Sequence, residues 1–190
     1  NSGSELTFPD NFHGERRVVS LKGEAFFEVS HNPNKPFFVN TNGDQVRVLG
    51  TSFNIRSYPE DEAVSVSVAT GRVAYSISSG DQVILVPNQM ATHHLSKNDL
   101  KVGEVDHMQS FGWKDKIIYF KSASLDDIII ELERWYGVEI ELHGDFKTSG
   151  KFTGRFENLP LEEVLIGLSY EFVFSYQIDK SIVRLDKVTS

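Results

Sequence analysis

The sequence has 190 residues, 39% of them hydrophobic and 14 of them Phe, which is enough for two small domains with apolar cores. Its net charge of −8 argues against a nucleic acid or an anionic membrane surface as partner, because phosphate groups would be repelled. The lack of cysteine excludes disulfides, thiolate metal sites and cysteine nucleophiles. No apolar run approaches the roughly 20 residues of a membrane helix, and the start of the chain lacks the features of a signal peptide. We therefore expect a fragment of a longer protein.

The first part of the chain, from residue 16 to about residue 90, alternates apolar and polar residues with the period of two that is typical of half-buried strands. In the stretch VRVLGTSFNI, this period places Leu49, Phe53 and Ile55 on one face of a single strand. Turn signals such as TNGD and SSGD separate the apolar runs. The pattern predicts an all-β domain of many short strands, built as a sandwich, a barrel or a solenoid.

The pattern changes to a helical one after a polar connector that is predicted at residues 95–116. Between Leu125 and Leu132, apolar residues recur at i, i+3, i+4 and i+7, which is one stripe of an amphipathic helix. Ser124 is a favourable N-cap, and Gly137 is typical of a helix end. The sequence therefore predicts a helix between these two residues, followed by a strand.

The helical pattern is repeated 36 residues later in the chain. LDDIIIEL (125–132) is matched by LEEVLIGL (161–168), and a strand-like segment lies on both sides of each helix. We predict duplicated strand–helix–strand units at residues 117–142 and 152–178, since one copy alone could hardly bury its apolar stripe. The predicted fold class is therefore mixed: an all-β N-terminal domain and a small α+β C-terminal domain.

Several sequence blocks resemble a known family. GEAFFEV (23–29) and VLGTSFNI (48–55) are the most specific of them, and NSGSELTFP, KPFFV and LVPNQM occur around them in the same order. Over residues 1–90, the chain resembles the periplasmic part of FecR-type anti-sigma regulators. The duplicated part resembles the short domain at the N-terminus of secretins and TonB-dependent transducers. We therefore assign residues 1–112 to a FecR-like all-β domain with its connector, and residues 113–190 to a secretin/TonB short N-terminal-like domain.

This resemblance implies a function in signal transduction across the cell envelope. A full-length protein of this kind holds an extracytoplasmic-function sigma factor with a cytoplasmic segment and crosses the inner membrane with one helix. Its periplasmic sensor receives the signal from the periplasmic signalling domain of a TonB-dependent outer-membrane transporter. This chain corresponds to the sensor, so the sigma-binding segment and the membrane helix are expected to lie outside it. The resemblance implies a periplasmic location, transcription regulation by protein–protein contact, no enzymatic activity and no cofactor.

Two glutamates of the GEAFFEV block are the first candidates for catalysis. Residues four apart on a strand share a face, but their backbones are about 13 Å apart. The carboxyls of a glycosidase pair lie roughly 5.5 to 9.5 Å apart, and Phe26 stands between Glu24 and Glu28. We therefore predict that both glutamates face solvent or pair with a nearby base, and that no catalytic pair is present. The bases considered are Arg16, Arg17 and Lys22.

Histidines are the remaining candidates for a metal site. His93 and His94 are adjacent, so on a strand they point to opposite faces and can rarely bind one metal ion. His107 follows in the connector. We predict solvated histidines and no metal site.

The candidate partner-binding residues are aromatic. FVFSYQI (172–178) and SIVRL predict a terminal hairpin around Asp179–Lys180, and Phe172, Phe174 and Tyr176 lie on one face of it. A partner strand could add to an exposed edge there. The alternative is that this face packs against the domain's own helices. A different function, a carbohydrate-binding β module, would need a planar exposed aromatic strip in the first domain, where the Phe residues instead follow the buried pattern.

Overall fold

The structure is a computed structural model that describes residues 1–146 and 150–188. The chain divides into two compact units, one that ends at Phe111 and one that begins at Gly112. None of the described helices is long and apolar enough to span a membrane. The predicted mixed fold class, mostly strands with a smaller α+β part, is confirmed.

The first unit is built on a single sheet of ten strands. Their order is β10-β9-β6-β5-β2-β3-β4-β7-β8, with β1 paired to β2. The strands are β1 (Glu5–Thr7), β2 (Arg17–Glu28), β3 (Phe37–Thr41), β4 (Asp44–Val48), β5 (Ser52–Ser57), β6 (Ala63–Thr70), β7 (Val73–Ser76), β8 (Gln82–Leu85), β9 (Gln89–His94) and β10 (Asp99–Glu104). All pairs are antiparallel except β2 with β3.

Strand β2 joins the two halves of this sheet. Its first residues pair with β3, and its residues from Gly23 onward pair with β5. Gly23 has a φ of +96°, and a Cβ atom there would lie 2.5 Å from the hydroxyl oxygen of Ser4, so the change of partner requires glycine. One apolar core contains residues of both halves, for example Val39 and Val46 from one and Phe53 and Val66 from the other. The sheet therefore curls over one core.

Two details of the first unit differ from the sequence predictions. VRVLGTSFNI is not one strand: β4 ends at Val48, β5 begins at Ser52, and Leu49 between them is exposed. The predicted connector contains β10, the helix α1 (His107–Phe111) and, at the start of the second unit, a 3-10 helix at Gly112–Asp115. Strand β10 is at the edge of the sheet and largely exposed, so it lacks the alternation that reveals a half-buried strand.

The second unit contains two strand–helix–strand segments and a final strand. The first is β11 (Ile117–Ala123), α2 (Leu125–Tyr136) and β12 (Glu139–His143); the second is β13 (Phe152–Glu157), α3 (Leu161–Phe172) and β14 (Phe174–Asp179); the last strand is β15 (Ile182–Lys187). Strands β11 and β13 pair with each other, and β12 and β14 lie on either side of β15. Both helices bury their predicted stripe, including Ile128 and Leu132 of α2 and Leu165 and Leu168 of α3, in one core.

The two helices differ at their ends. Helix α2 has a capping box, in which the Ser124 hydroxyl accepts from the Asp127 N–H and the Asp127 carboxylate accepts from the Ser124 N–H. It ends at Gly137, whose φ is 66°. Helix α3 begins after Pro160 without a side-chain cap and ends at Val173, whose φ is 50°. The second copy therefore lacks the favourable end residues of the first.

Candidate functional site

Glu24 is buried, contrary to the prediction that it faces solvent. Only 2% of it is exposed, whereas Glu28 is exposed. The amides of Asn54 and Asn1 donate to the Glu24 carboxylate over 2.7 and 2.8 Å, and Arg56 Nη1 lies 3.7 Å from it. The predicted pairing with Arg16, Arg17 or Lys22 is therefore wrong, since the partner is an arginine on the neighbouring strand β5.

The burial of Glu24 follows from what covers its face of the sheet. This is the face that the two-residue period assigns to solvent. Helix α1 packs on it: the Phe111 ring meets Phe26 edge-on at 5.8 Å, and the hydroxyls of Ser110 and Ser67 lie 3.0 Å apart. Near Glu24, the Ser4 hydroxyl accepts from the backbone N–H of Glu24. The carboxylate is thus enclosed and fully partnered, which is a structural role.

A second buried polar cluster links the two halves of the first unit. Asp44 Oδ2 accepts from the Tyr75 hydroxyl over 2.5 Å and lies 2.8 Å from His93 Nδ1, and Asp44 Oδ1 accepts from the Ser78 N–H. His93 Nε2 lies 3.2 Å from the side-chain oxygen of Asn98. The prediction of a solvated histidine is therefore wrong for His93, because its ring points into the core.

This cluster contains the carboxylate–histidine pair that many hydrolases use, but it is arranged differently. In a catalytic triad, the histidine faces a nucleophile that substrate can reach. Here the second nitrogen of His93 faces an amide oxygen, and Tyr75 is enclosed in the core. Burial, and then the Asp44 carboxylate, raise the pKa of Tyr75 far above its ordinary value, so its hydroxyl stays a neutral donor. The cluster binds the sheet halves together.

The other histidines form no cluster of ligands. His94, next to His93, is half-buried, and His107 is exposed with Nε2 2.9 Å from the side-chain oxygen of Asn88. Within residues 1–146 and 150–188, no three His, Asp or Glu side chains are grouped as metal ligands.

An open cleft of about 520 Å³ lies on the first unit. Arg16 lies over the Phe38 ring at 5.4 Å, and this ring is nearly covered. Glu15 is the one acidic residue of the lining, so the cleft has no pair of carboxylates for acid–base catalysis. The lining residues are Glu15, Arg16, Asn34, Pro36, Phe38, Gln45 and Arg47.

The three predicted partner-binding aromatics lie mostly inside the second unit. Phe172 is the last residue of α3 and not part of the strand, which begins at Phe174; both side chains are buried in the core. Tyr176 is half-buried at the edge strand β14. The row therefore packs against the domain's own helices, and only Tyr176 is partly accessible. The predicted hairpin at Asp179–Lys180 is present.

Strand β14 offers one free edge. It pairs with β15 on one side, and in the described part of the chain no strand pairs with its other side. A strand of a partner could add there through main-chain hydrogen bonds. The polar clusters of the first unit, in contrast, are enclosed.

Comparison with known proteins identifies the family to which the chain belongs. Two family models match the chain: the FecR protein model over residues 1–74, and the FecR C-terminal model over residues 117–185. The chain belongs to the FecR family. The solved structures of a candidate anti-sigma factor from Parabacteroides distasonis ATCC 8503, at 1.65 and 2.50 Å resolution, are similar to it along its whole length.

Both solved structures share 32% sequence identity with the chain and have a TM-score of 0.87. Each comparison covers 100% of this chain, and it covers 89% of the first solved chain and 88% of the second. A search of the curated proteins gives no match.

Proposed function

We propose that this chain is the periplasmic sensor region of a membrane-anchored anti-sigma regulator. It receives a signal from the periplasmic signalling domain of a TonB-dependent outer-membrane transporter and controls an extracytoplasmic-function sigma factor by protein–protein contact. The sigma-binding segment and the membrane helix belong to other parts of the full-length protein. The sensor itself performs no chemistry and uses no cofactor.

The observation that carries this proposal is the similarity to the Parabacteroides structure, because it spans both units at 32% identity. The enclosed state of the two carboxylate clusters is consistent with it, since neither Glu24 nor Asp44 is open to a substrate. The alternative of a carbohydrate-binding module is less well supported. Phe27 and Phe38 are buried, and Phe26 and Phe37 are half-buried against other rings, so these residues form no flat exposed strip.

The proposed contact region is the second unit, residues 113–190, as a secretin/TonB short N-terminal-like domain. Edge strand β14 supplies main-chain groups for a partner strand, and Tyr176 supplies a partly exposed aromatic side chain on the same strand. Tyr176→Asp is expected to weaken partner binding by about tenfold or more. Gln177→Asp, on the opposite face of the same strand, is the matched control and is expected to leave binding nearly unchanged.

The test is a calorimetric titration of the 190-residue chain with the signalling domain of the TonB-dependent transporter encoded beside it. Saturable one-to-one binding is expected. A thermal-shift screen with glycans runs in parallel, and we expect no stabilisation. Stabilisation by a glycan together with no binding of the signalling domain would overturn the proposal in favour of the carbohydrate module.

A further inference from the structure

Helix α3 has two apolar stripes, and only one of them faces the core. Ile166, Tyr170 and Val173 are spaced at i, i+4 and i+7, so they lie on one face of the helix and its C-cap. They are 43%, 83% and 48% exposed. The core-facing residues of the helix, such as Leu165 and Leu168, are buried on another face. An ordinary surface helix has a polar outer face, so this second stripe requires an explanation.

The first copy of the repeat shows that the fold does not require this stripe. The positions 36 residues earlier are Ile130, Arg134 and Gly137. Ile130 has the same exposure as Ile166, 43%, but Arg134 and Gly137 replace Tyr170 and Val173. The arginine lies 3.6 Å from Glu131 on its own helix, and only 6% of its side chain is exposed, against 83% of Tyr170. The exposed apolar stripe is therefore a property of the second copy alone.

The backbone at Val173 provides independent support. It has φ 50° and ψ 69°, which is the left-handed region, and among the described residues it is the only β-branched one with a positive φ. A β-branched side chain is a clear outlier in this conformation, and Gly137 shows the residue that the position ordinarily takes. Val173 is 48% exposed, so packing within the domain does not fully account for its conformation. Strain of this kind is concentrated at functional sites.

Charge indicates what kind of partner fits. Glu162 and Glu163 are exposed in the first turn of α3 and lie on either side of the line of the stripe. The helix sequence LEEVLIGLSYEF contains no lysine or arginine. A complementary surface would place apolar side chains against the stripe and basic side chains beside its N-terminal end.

From these observations we infer that Ile166, Tyr170 and Val173 form the side-chain contact surface for a polypeptide partner with an apolar centre and a basic rim. The inference rests on the proposed function, because it assigns this surface to the signalling domain of the transporter. Tyr170 is the central anchor, as tyrosines often are in protein–protein interfaces.

The test uses calorimetric titrations of the 190-residue chain and its variants with that signalling domain. Ile166→Ser is expected to weaken binding about tenfold, and Tyr170→Ser by more than that. Ile130→Ser is the matched control, since it removes the same residue with the same exposure from the equivalent position, and it is expected to leave the Kd unchanged. Equal Kd values for Ile166→Ser and Ile130→Ser would overturn the inference while leaving the proposed function intact.

Val173→Gly separates binding from stability. Glycine relieves the left-handed strain, so the melting temperature is expected to stay the same or rise by a few degrees. The Kd is expected to rise about tenfold, because the side chain is lost from the contact surface. Unchanged affinity would remove Val173 from the surface, and a fall in melting temperature would contradict the strain argument.

Salt dependence tests the basic rim. For the wild type, the Kd is expected to rise with ionic strength, and for the double variant Glu162→Gln/Glu163→Gln this slope should be smaller. If the Kd of the wild type and of the double variant depended on ionic strength equally, the partner would have no basic rim facing Glu162 and Glu163. If the wild-type chain itself fails to bind the signalling domain, both the proposed function and this inference are overturned.

Discussion

The two units of this protein differ in the kind of interaction that defines their fold. Among the described residues, the polar and charged residues that are buried as whole residues all lie in the first unit, whereas in the second unit the Arg134 side chain is 6% exposed. The buried residues of the first unit are Glu24, Thr41, Asp44, Thr51, Asn54, Ser57, Ser67, His93 and Ser110. The core of the second unit is aliphatic and aromatic, and one of its helices is defined by polar groups at its end, as the capping box at Ser124 shows.

The difference reflects the two kinds of architecture. A large sheet can slip in register, and a slip of one residue would move every apolar side chain to the wrong face. The hydrogen bonds of the cluster join Asp44 on β4, Tyr75 on β7 and His93 on β9, and they can form in one register only. Any other register would leave these buried groups without hydrogen-bond partners and would be less stable. The second unit has only sheets of two and three strands, and its two helices have their register fixed by their own backbone. Apolar packing and defined helix ends therefore contribute more to a unique fold there.

The largest effect is expected from Asp44→Ala. It leaves the Tyr75 hydroxyl, the Ser78 N–H and the His93 ring without their acceptor in a closed core, which should cost about 3–5 kcal/mol of unfolding free energy. Both tryptophans of the chain, Trp113 and Trp135, lie in the second unit, so their fluorescence follows that unit. Urea unfolding followed by far-ultraviolet circular dichroism, to which the strands of the first unit contribute, should show the loss as a transition that tryptophan fluorescence does not share.

The control for this variant is Asp81→Ala. Asp81 is an exposed aspartate in the turn before β8, and its removal should change the unfolding free energy by less than about 0.5 kcal/mol. A similar small effect for Asp44→Ala would refute the register argument. A shift of the tryptophan transition alone would refute the assignment of this cluster to the first unit's stability.

The next effect is expected from the two glutamates of β2. Glu24→Ala removes the acceptor of Asn54 and Asn1 and the ion-pair partner of Arg56, which should cost about 2–3 kcal/mol. Glu28→Ala, four residues along the same strand and exposed, should cost less than about 0.5 kcal/mol. The pair is measured in the same urea experiment, and equal losses would mean that both glutamates are solvent-facing, as the period of two predicts.

Much of the fold follows from patterns that are local in sequence. The period of two predicts the strands, the 36-residue repeat predicts both helices, and Ser124 and Gly137 mark the helix ends where the structure has them. The repeat also contains the signal for the exposed stripe of α3. When the two copies are aligned, Val173 corresponds to Gly137, so the sequence contains this difference. The spacing of the core positions does not reveal it, because neither residue belongs to the core stripe.

The environments of Glu24 and His93 could not be predicted, because they depend on residues that are distant in the chain. Helix α1 and the N-terminal residues cover the face that carries Glu24, and periodicity gives no information about such a cover. His93 meets Asp44 across 49 residues. Phe172 was assigned to a strand because FVFSYQI alternates, but the apolar stripe of α3 includes it, and core packing extends the helix through it.

A third, pH-dependent effect is expected from Tyr75. Burial and the neighbouring Asp44 raise its pKa above the value of 10.0 that it has in the unfolded chain. The folded state therefore keeps the proton that the unfolded chain loses, so this contribution is complete below about pH 10 and is lost as the pH rises further, by up to about 1.4 kcal/mol per unit. Tyr75→Phe lacks the ionisable group. The gap in unfolding free energy between wild type and this variant should be constant from pH 8 to about pH 9.5 and narrow above pH 10, whereas parallel curves would refute the linkage.

The smallest effects are expected in the two helices of the second unit, where serine-to-alanine substitutions should change the unfolding free energy with opposite signs. Ser124→Ala removes the hydroxyl that accepts from the Asp127 N–H, which should cost about 1 kcal/mol. Ser169→Ala, inside α3, replaces a weak helix former whose hydroxyl bonds back to the Ile166 carbonyl, and should gain a few tenths of a kcal/mol. Tryptophan fluorescence in urea measures both. If Ser124→Ala caused no loss of unfolding free energy, the capping box would contribute nothing to stability. Helix α2 would then depend on apolar packing alone, as the uncapped α3 does.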